Sequence, residues 1–135
     1  MSLEMISLLV FLATFAALLM AQPLVLAQTK GMAYVTGNRA DPVDAEAPVA
    51  GRLSRTVRNS IEAAVLFVPL VLATEVMGTS NALTQWGAVV FVAARVAYSL
   101  LYPLGVVGLR SLAWNVGFAA LVAIALGLIN GQLVQ

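Results

Sequence analysis

The sequence predicts an all-α protein, a bundle of four helices that cross a bilayer. Three observations carry this reading. Of the 135 residues, 61% are hydrophobic and only 10% are charged, whereas an average soluble domain is about 45–50% apolar and about 25% charged. Four stretches reach the roughly 20 mostly apolar residues that a spanning helix needs. The turn-forming and charged residues collect mainly at the breaks between those stretches. A water-soluble core of this size cannot hide so much apolar surface, so lipid is the solvent that fits. The chain reads as one domain over residues 1–135.

The first expected helix covers residues 3–28. It opens Met1-Ser2-Leu3-Glu4, with no positive n-region. Its apolar run exceeds the about 7–15 residues of a signal-peptide h-region, so a retained span is expected rather than a cleaved leader. The second covers 53–77 and has a polar start. The third covers 83–102 and the fourth 106–133. Gly78-Thr79-Ser80-Asn81 is a turn cluster. Pro103 and Gly105 end the third helix, because proline cannot continue the hydrogen-bond ladder. The longest connection, residues 30–51, holds Gly37, Asn38, Asp41, Pro42, Asp44, Glu46 and Pro48 and is the one sizeable polar segment. No internal repeat is visible.

Charge orients the bundle and excludes some functions. A net charge of +1 gives no reason to expect a nucleic-acid partner. The chain has no cysteine and no histidine, which removes the thiol nucleophile and the commonest general base and metal ligand. No metal is expected. The seven basic residues group around two connections: Lys30, Arg39, Arg52, Arg55 and Arg58 around the first, Arg95 and Arg110 around the third. Four spans put those connections on one side. Positive residues favour the cytoplasmic face, so both termini are expected outside, in a multi-pass protein of the cell inner membrane.

The second helix opens Arg55-Thr56-Val57-Arg58-Asn59-Ser60-Ile61-Glu62. At about 100° per residue, Arg55, Asn59 and Glu62 share a narrow arc, with Arg58 about 60° to the side. Either arginine can pair with Glu62. The third helix carries Arg95, Tyr98 and Tyr102 on one face, at i, i+3 and i+7. Arg95 lies about two turns from its helix end, too deep to reach water easily. Arg110, Ser111 and Trp114 open the fourth helix. Charges within a span face a bundle interior or a water-filled cavity, so these faces are expected to converge on the cytoplasmic half. Surplus guanidinium groups there suit an anionic ligand with carboxylates. Structural roles stand beside that reading. Arg52, Arg55 and Arg58 can be interfacial anchors. Asn59 and Glu62 can join helices, and Tyr102 and Trp114 can belong to an aromatic belt.

These motifs resemble the MAPEG family, the membrane-associated proteins in eicosanoid and glutathione metabolism. R-x-x-R-N-x-x-E, here Arg55, Arg58, Asn59 and Glu62, is similar to its second-helix signature, and Phe67 and Pro69 follow in the same way. R-V-A-Y-x-x-x-Y from Arg95 to Tyr102 resembles the next signature, and Arg110-Ser111-Leu112-Ala113-Trp114 the start of the fourth helix. Gly37-Asn38-Arg39 with Pro42 resembles bacterial members. The likeness covers roughly residues 30–118. Trp114 stands where some synthases of the family have a tyrosine, and Tyr98 where some members have a histidine.

The resemblance implies a homotrimer with glutathione as co-substrate between subunits, and a transferase or peroxidase acting on lipophilic electrophiles or hydroperoxides that arrive with the membrane lipids. By position it implies that Arg55, Arg58, Asn59, Glu62, Arg95, Tyr98 and Tyr102 hold the tripeptide. It makes Arg110 the catalytic residue, stabilising the glutathione thiolate. Two other classes are weighed against it. A non-catalytic subunit or lipid-binding partner of a larger membrane complex would use the same small-residue helix faces. A proton-coupled exporter needs a deep acid, whereas Glu4 and Glu75 are expected at the outer ends and Glu62 among arginines.

Overall fold

The computed structural model describes residues 1–39 and 48–133. Asp41, Pro42, Asp44 and Glu46 of the first connection lie outside them. Within the described residues the chain is helical: α1 Leu3–Lys30, α2 Met32–Thr36, α3 Pro48–Val76, α4 Ala82–Leu101 and α5 Val107–Leu133. The four long helices are each long and apolar enough to cross a membrane. At about 1.5 Å per residue the 20 residues of α4 span about 30 Å, the thickness of a hydrocarbon core. The helix ends fall within two residues of expectation apart from the start of α3, and one short helix is added. The short α2 lies where a plain loop was expected, set off from α1 by Gly31 at a φ of 84°. Helix α3 begins at Pro48, five residues before the expected 53. Proline's fixed φ and missing N–H suit a first helical turn, and the polar residues after it lengthen the helix beyond its apolar part.

The turns follow from local chemistry. Gly78 takes a φ of 62°. Its N–H bonds the Glu75 carbonyl, and the Thr79 N–H bonds the Thr74 carbonyl, the paired bonds that close a helix on a left-handed glycine. Asn81 then caps α4, its Oδ1 accepting from the Leu83 and Thr84 N–H groups while Thr84 Oγ1 accepts from the Asn81 N–H. Gly105, at a φ of 79°, closes α4 in the same way, with Val106 N–H on the Leu101 carbonyl.

Three phenylalanines centre the core. Phe67 of α3 stacks on Phe91 of α4 with ring centroids 4.1 Å apart, and Phe11 of α1 packs 5.5 and 5.6 Å from them. Leu121 and Ile124 of α5 complete the cluster. Helices α4 and α5 approach most closely. A Cβ on Gly127 would lie 2.9 Å from Leu83 Cβ and Thr84 Cγ2, the intimate small-residue packing that membrane helices use.

Each end of the bundle has its own tie. At the basic end Arg52 Nε donates to the Pro103 carbonyl at 3.0 Å, joining the start of α3 to the α4–α5 turn. Arg52 is therefore bonded within the protein, not only anchored at the interface. At the opposite end Gln132 donates to Thr79 Oγ1 at 2.7 Å, and the Ser2 hydroxyl donates to the exposed Glu75. Glu4 lies at this end as expected, but it is fully buried. Its Oε1 accepts from Thr84 Oγ1 at 2.6 Å and Ser80 Oγ at 2.8 Å. Its carboxyl thus sits against the first turn of α4, where the helix dipole favours negative charge.

Glu4→Ala removes the acceptor shared by Ser80 and Thr84. Hydrogen bonds to charged groups contribute about 1.5–3 kcal/mol, so the thermal midpoint of the detergent-purified protein, followed by circular dichroism, is expected to fall by several degrees.

Candidate functional site

Polar side chains meet where α3, α4 and α5 face one another in the basic half of the bundle. Arg95 is the centre. It is only 4% exposed. Its Nη1 donates to Asn59 Oδ1 at 2.9 Å and its Nη2 to Ser60 Oγ at 3.3 Å, tying α4 to α3. Its guanidinium lies 4.7 Å from the Tyr98 ring centroid, a favourable cation–π distance. Among the described residues, Arg95 Nε and Glu4 Oε2 are the two buried side-chain polar atoms with no hydrogen-bond partner. The arginine's Nε is thus buried without a hydrogen-bond partner inside the protein. On the α5 side its stem passes Gly117, where a Cβ would lie an ordinary 3.8 Å from Arg95 Cδ.

One turn further along α4, a second cationic contact repeats the first. The Arg110 guanidinium sits 4.5 Å from the Tyr102 ring centroid, and the Tyr98 and Tyr102 rings are 5.3 Å apart. The two tyrosines thus lie side by side between the two arginines, in a row from the buried Arg95 to the half-buried Arg110.

Two cavities flank this row and share Asn59 and Trp114 in their linings. The polar one, about 330 Å³, is walled by Tyr98, Tyr102, Arg110, Ser111 and Asn115. Pockets for small molecules begin at about 300 Å³. The apolar one, about 140 Å³, is walled by Leu66, Phe91, Phe118 and Leu121, with Glu62 and Arg95 at its polar side. Trp114 stacks on Phe118, ring centroids 5.7 Å apart and nearly parallel.

The expected residues are brought together in part. Asn59, Arg95, Tyr98, Tyr102 and Arg110 lie on one continuous site. Glu62 reaches the edge of the apolar cavity and pairs with Arg58, N to O 3.8 Å, but both side chains are mostly exposed. Arg55 is exposed on the same helix. The several guanidinium groups expected around Glu62 are thus spread out: Arg95 bonds Asn59 and Ser60, and Arg58 lies on the outer surface of α3. Ser60, Asn115, Gly117 and Phe118 were not anticipated. Ser60 follows Asn59 directly, and Asn115 and Phe118 sit one and four residues beyond Trp114. Ser60, Asn115 and Gly117 carry no charge and no ring, and Phe118 lies outside the charged and aromatic clusters that open the helices.

A family model described as the MAPEG family matches residues 5–130. No curated protein and no solved structure matches the chain.

The Arg95 contacts give an ordering of two variants. Asn59→Ala leaves a buried guanidinium with one of its two side-chain acceptors, and removing a partner from a buried charge costs more than removing the charge itself. Arg95→Met removes the charge and keeps much of the volume. Thermal unfolding in detergent is expected to show the larger loss of stability for Asn59→Ala.

Proposed function

The chain belongs to the MAPEG family, a family of membrane proteins of glutathione and eicosanoid metabolism, and from that premise we propose that it is a glutathione-dependent transferase or peroxidase acting on lipophilic electrophiles or hydroperoxides. The observation that carries this reading is the row of Arg95, Tyr98, Tyr102 and Arg110 along a polar cavity of about 330 Å³ that adjoins an apolar one. Glutathione is an anionic tripeptide with two carboxylates. Arginine forks and tyrosine hydroxyls are the donors such a ligand takes, and Tyr98, Tyr102 and Arg110 line the polar cavity.

In this reading Asn59, Arg95, Tyr98 and Tyr102 bind the tripeptide from within the subunit. Arg55, Arg58 and Glu62, exposed on the outer face of α3, complete the site from the neighbouring copy in a homotrimer. Arg58 and Glu62 pair with each other on that face, and charged groups within a span are usually turned toward protein or a water-filled cavity rather than lipid, as a neighbouring subunit would provide. The subunits sit in the cell inner membrane with the basic end cytoplasmic, as the grouping of all seven basic residues favours.

The chemistry needs a thiolate. A free thiol has a pKa of about 8.5, and a neighbouring cation raises the thiolate fraction at neutral pH. Arg110, half-buried beside Tyr102, is that cation. In conjugation the thiolate sulfur bonds the electrophilic carbon and the leaving group departs with its electron pair. In peroxide reduction the sulfur attacks the distal oxygen, the O–O bond breaks, and the alkoxide takes a proton to become the alcohol. A second glutathione then converts the sulfenic acid to disulfide and water.

Calorimetry on detergent-purified protein tests the binding. Wild type is expected to bind glutathione saturably below millimolar concentration. Arg95→Ala is expected to weaken binding at least tenfold. Arg110→Ala is expected to retain binding but lose about a hundredfold or more in turnover, the scale on which one charge-stabilising donor acts. No binding at millimolar glutathione would favour a non-catalytic or lipid-binding subunit. Native mass spectrometry of the same sample reads the subunit count, for which three is expected.

A further inference from the structure

The apolar cavity carries information about the second substrate. It lies between α3, α4 and α5, and its volume is about 140 Å³. Protein cavities of about 150 Å³ lined by aliphatic and aromatic side chains hold one benzene. The floor is rigid: Phe91 is 1% exposed and stacked on Phe67, and Leu121 is 7% exposed in the same core cluster. Space exists here because α5 presents no side chain at Gly117. A Cβ there would meet Ala94, Arg95 and Phe91 at 3.7–4.0 Å, ordinary contact distances. The wall toward the polar cavity is Trp114, held by its stack on Phe118.

We propose that this chamber receives a compact apolar group of the second substrate, about the size of a single six-membered ring, and that Trp114 is the residue that sets this size limit. The inference rests on the glutathione reading of the adjoining polar cavity. In a membrane the competing ligands are acyl chains, present in great excess. The chamber is open on the side of Leu66 and Phe118, which are about half exposed, but its depth is that of one ring. It therefore seats an aromatic or cycloalkyl group whole and only the tip of an acyl chain, with the reactive atom of the ring compound facing Trp114 and the polar cavity beyond it. A methylene that must fit inside a hydrophobic pocket changes discrimination by about 10–200-fold, so a ring that fills the chamber is favoured over a longer group that leaves most of its length outside.

The test uses tryptophan emission. The chain has two tryptophans, and Trp86 lies on a separate apolar groove between α4 and α5. In Trp86→Phe protein, Trp114 is the remaining emitter. Nitrobenzene, a ring-sized quencher, is expected to give a saturable component above the linear rise caused by partition into detergent. Benzene is expected to displace it, and palmitate is not. Gly117→Ala, which adds one methyl group to the chamber at unstrained distances, is expected to weaken that component about tenfold. Purely linear quenching, equal in the two proteins, overturns the chamber even where glutathione binds normally. Displacement by palmitate as effective as by benzene assigns the chamber to acyl chains and overturns the proposal as well. Saturable, benzene-displaced quenching in protein that binds no glutathione overturns the co-substrate assignment and with it the reading of the polar cavity.

Discussion

Placing an arginine within a hydrophobic span costs about 2.5–3.5 kcal/mol at the centre even by the most lenient scales. Arg95 is two turns from the end of a helix that barely spans the hydrocarbon, and its surroundings are arranged to meet that cost. Asn59 and Ser60 accept two of its hydrogen bonds, Tyr98 offers a ring face, and the stem packs beside Gly117. Those four residues come from α3, α4 and α5, so one guanidinium fixes how three helices face one another. The contact between α3 and α4 is otherwise slight beside that between α4 and α5, which makes the polar tie more consequential there. The donor left over at Nε follows from the same arrangement: the fold supplies acceptors to the two terminal nitrogens and none to the third.

Apolar packing does a different job. The Phe11, Phe67 and Phe91 cluster holds α1, α3 and α4 at mid-membrane and supplies the floor of the small cavity. The floor is thus part of the bundle's core, and a change in what the cavity admits is easier to make at its rim. Trp114 is such a rim residue. It is 44% exposed and belongs to both cavities, so altering it leaves the phenylalanine stack untouched.

Much of the fold was legible in the sequence because length and hydropathy decide what spans a membrane. The turn at Gly78 to Asn81 and the stop after Tyr102 were legible because glycine, proline and capping residues act locally. The start of α3 at Pro48 was not, since the criterion counted apolar residues and the first turns of that helix are polar. Within the site, Arg95, Tyr98 and Tyr102 share a face by periodicity, and the structure keeps them so. Periodicity does not say which partner a side chain selects. Arg95 bonds Asn59 and Ser60, neutral groups, where charge counting pointed toward Glu62. Cavities are a property of three helices together, and a missing side chain such as that of Gly117 leaves no mark in a motif.

The buried carboxyl of Glu4 has a consequence for how the chain is made. Its hydroxyl partners, Ser80 and Thr84, are 76 and 80 residues further along. Synthesis at about 5–20 residues per second separates Glu4 from Thr84 by roughly 4–16 seconds. During that interval α1 is in place with its carboxyl unmatched, free to seek water or lipid headgroups at the membrane surface. Packing against α3 can position α1 before that, through Phe11 on Phe67, but the carboxyl finds its hydroxyl partners only when the first turn of α4 arrives. The match between the first and third spans at this end is therefore made only once α4 has been synthesised.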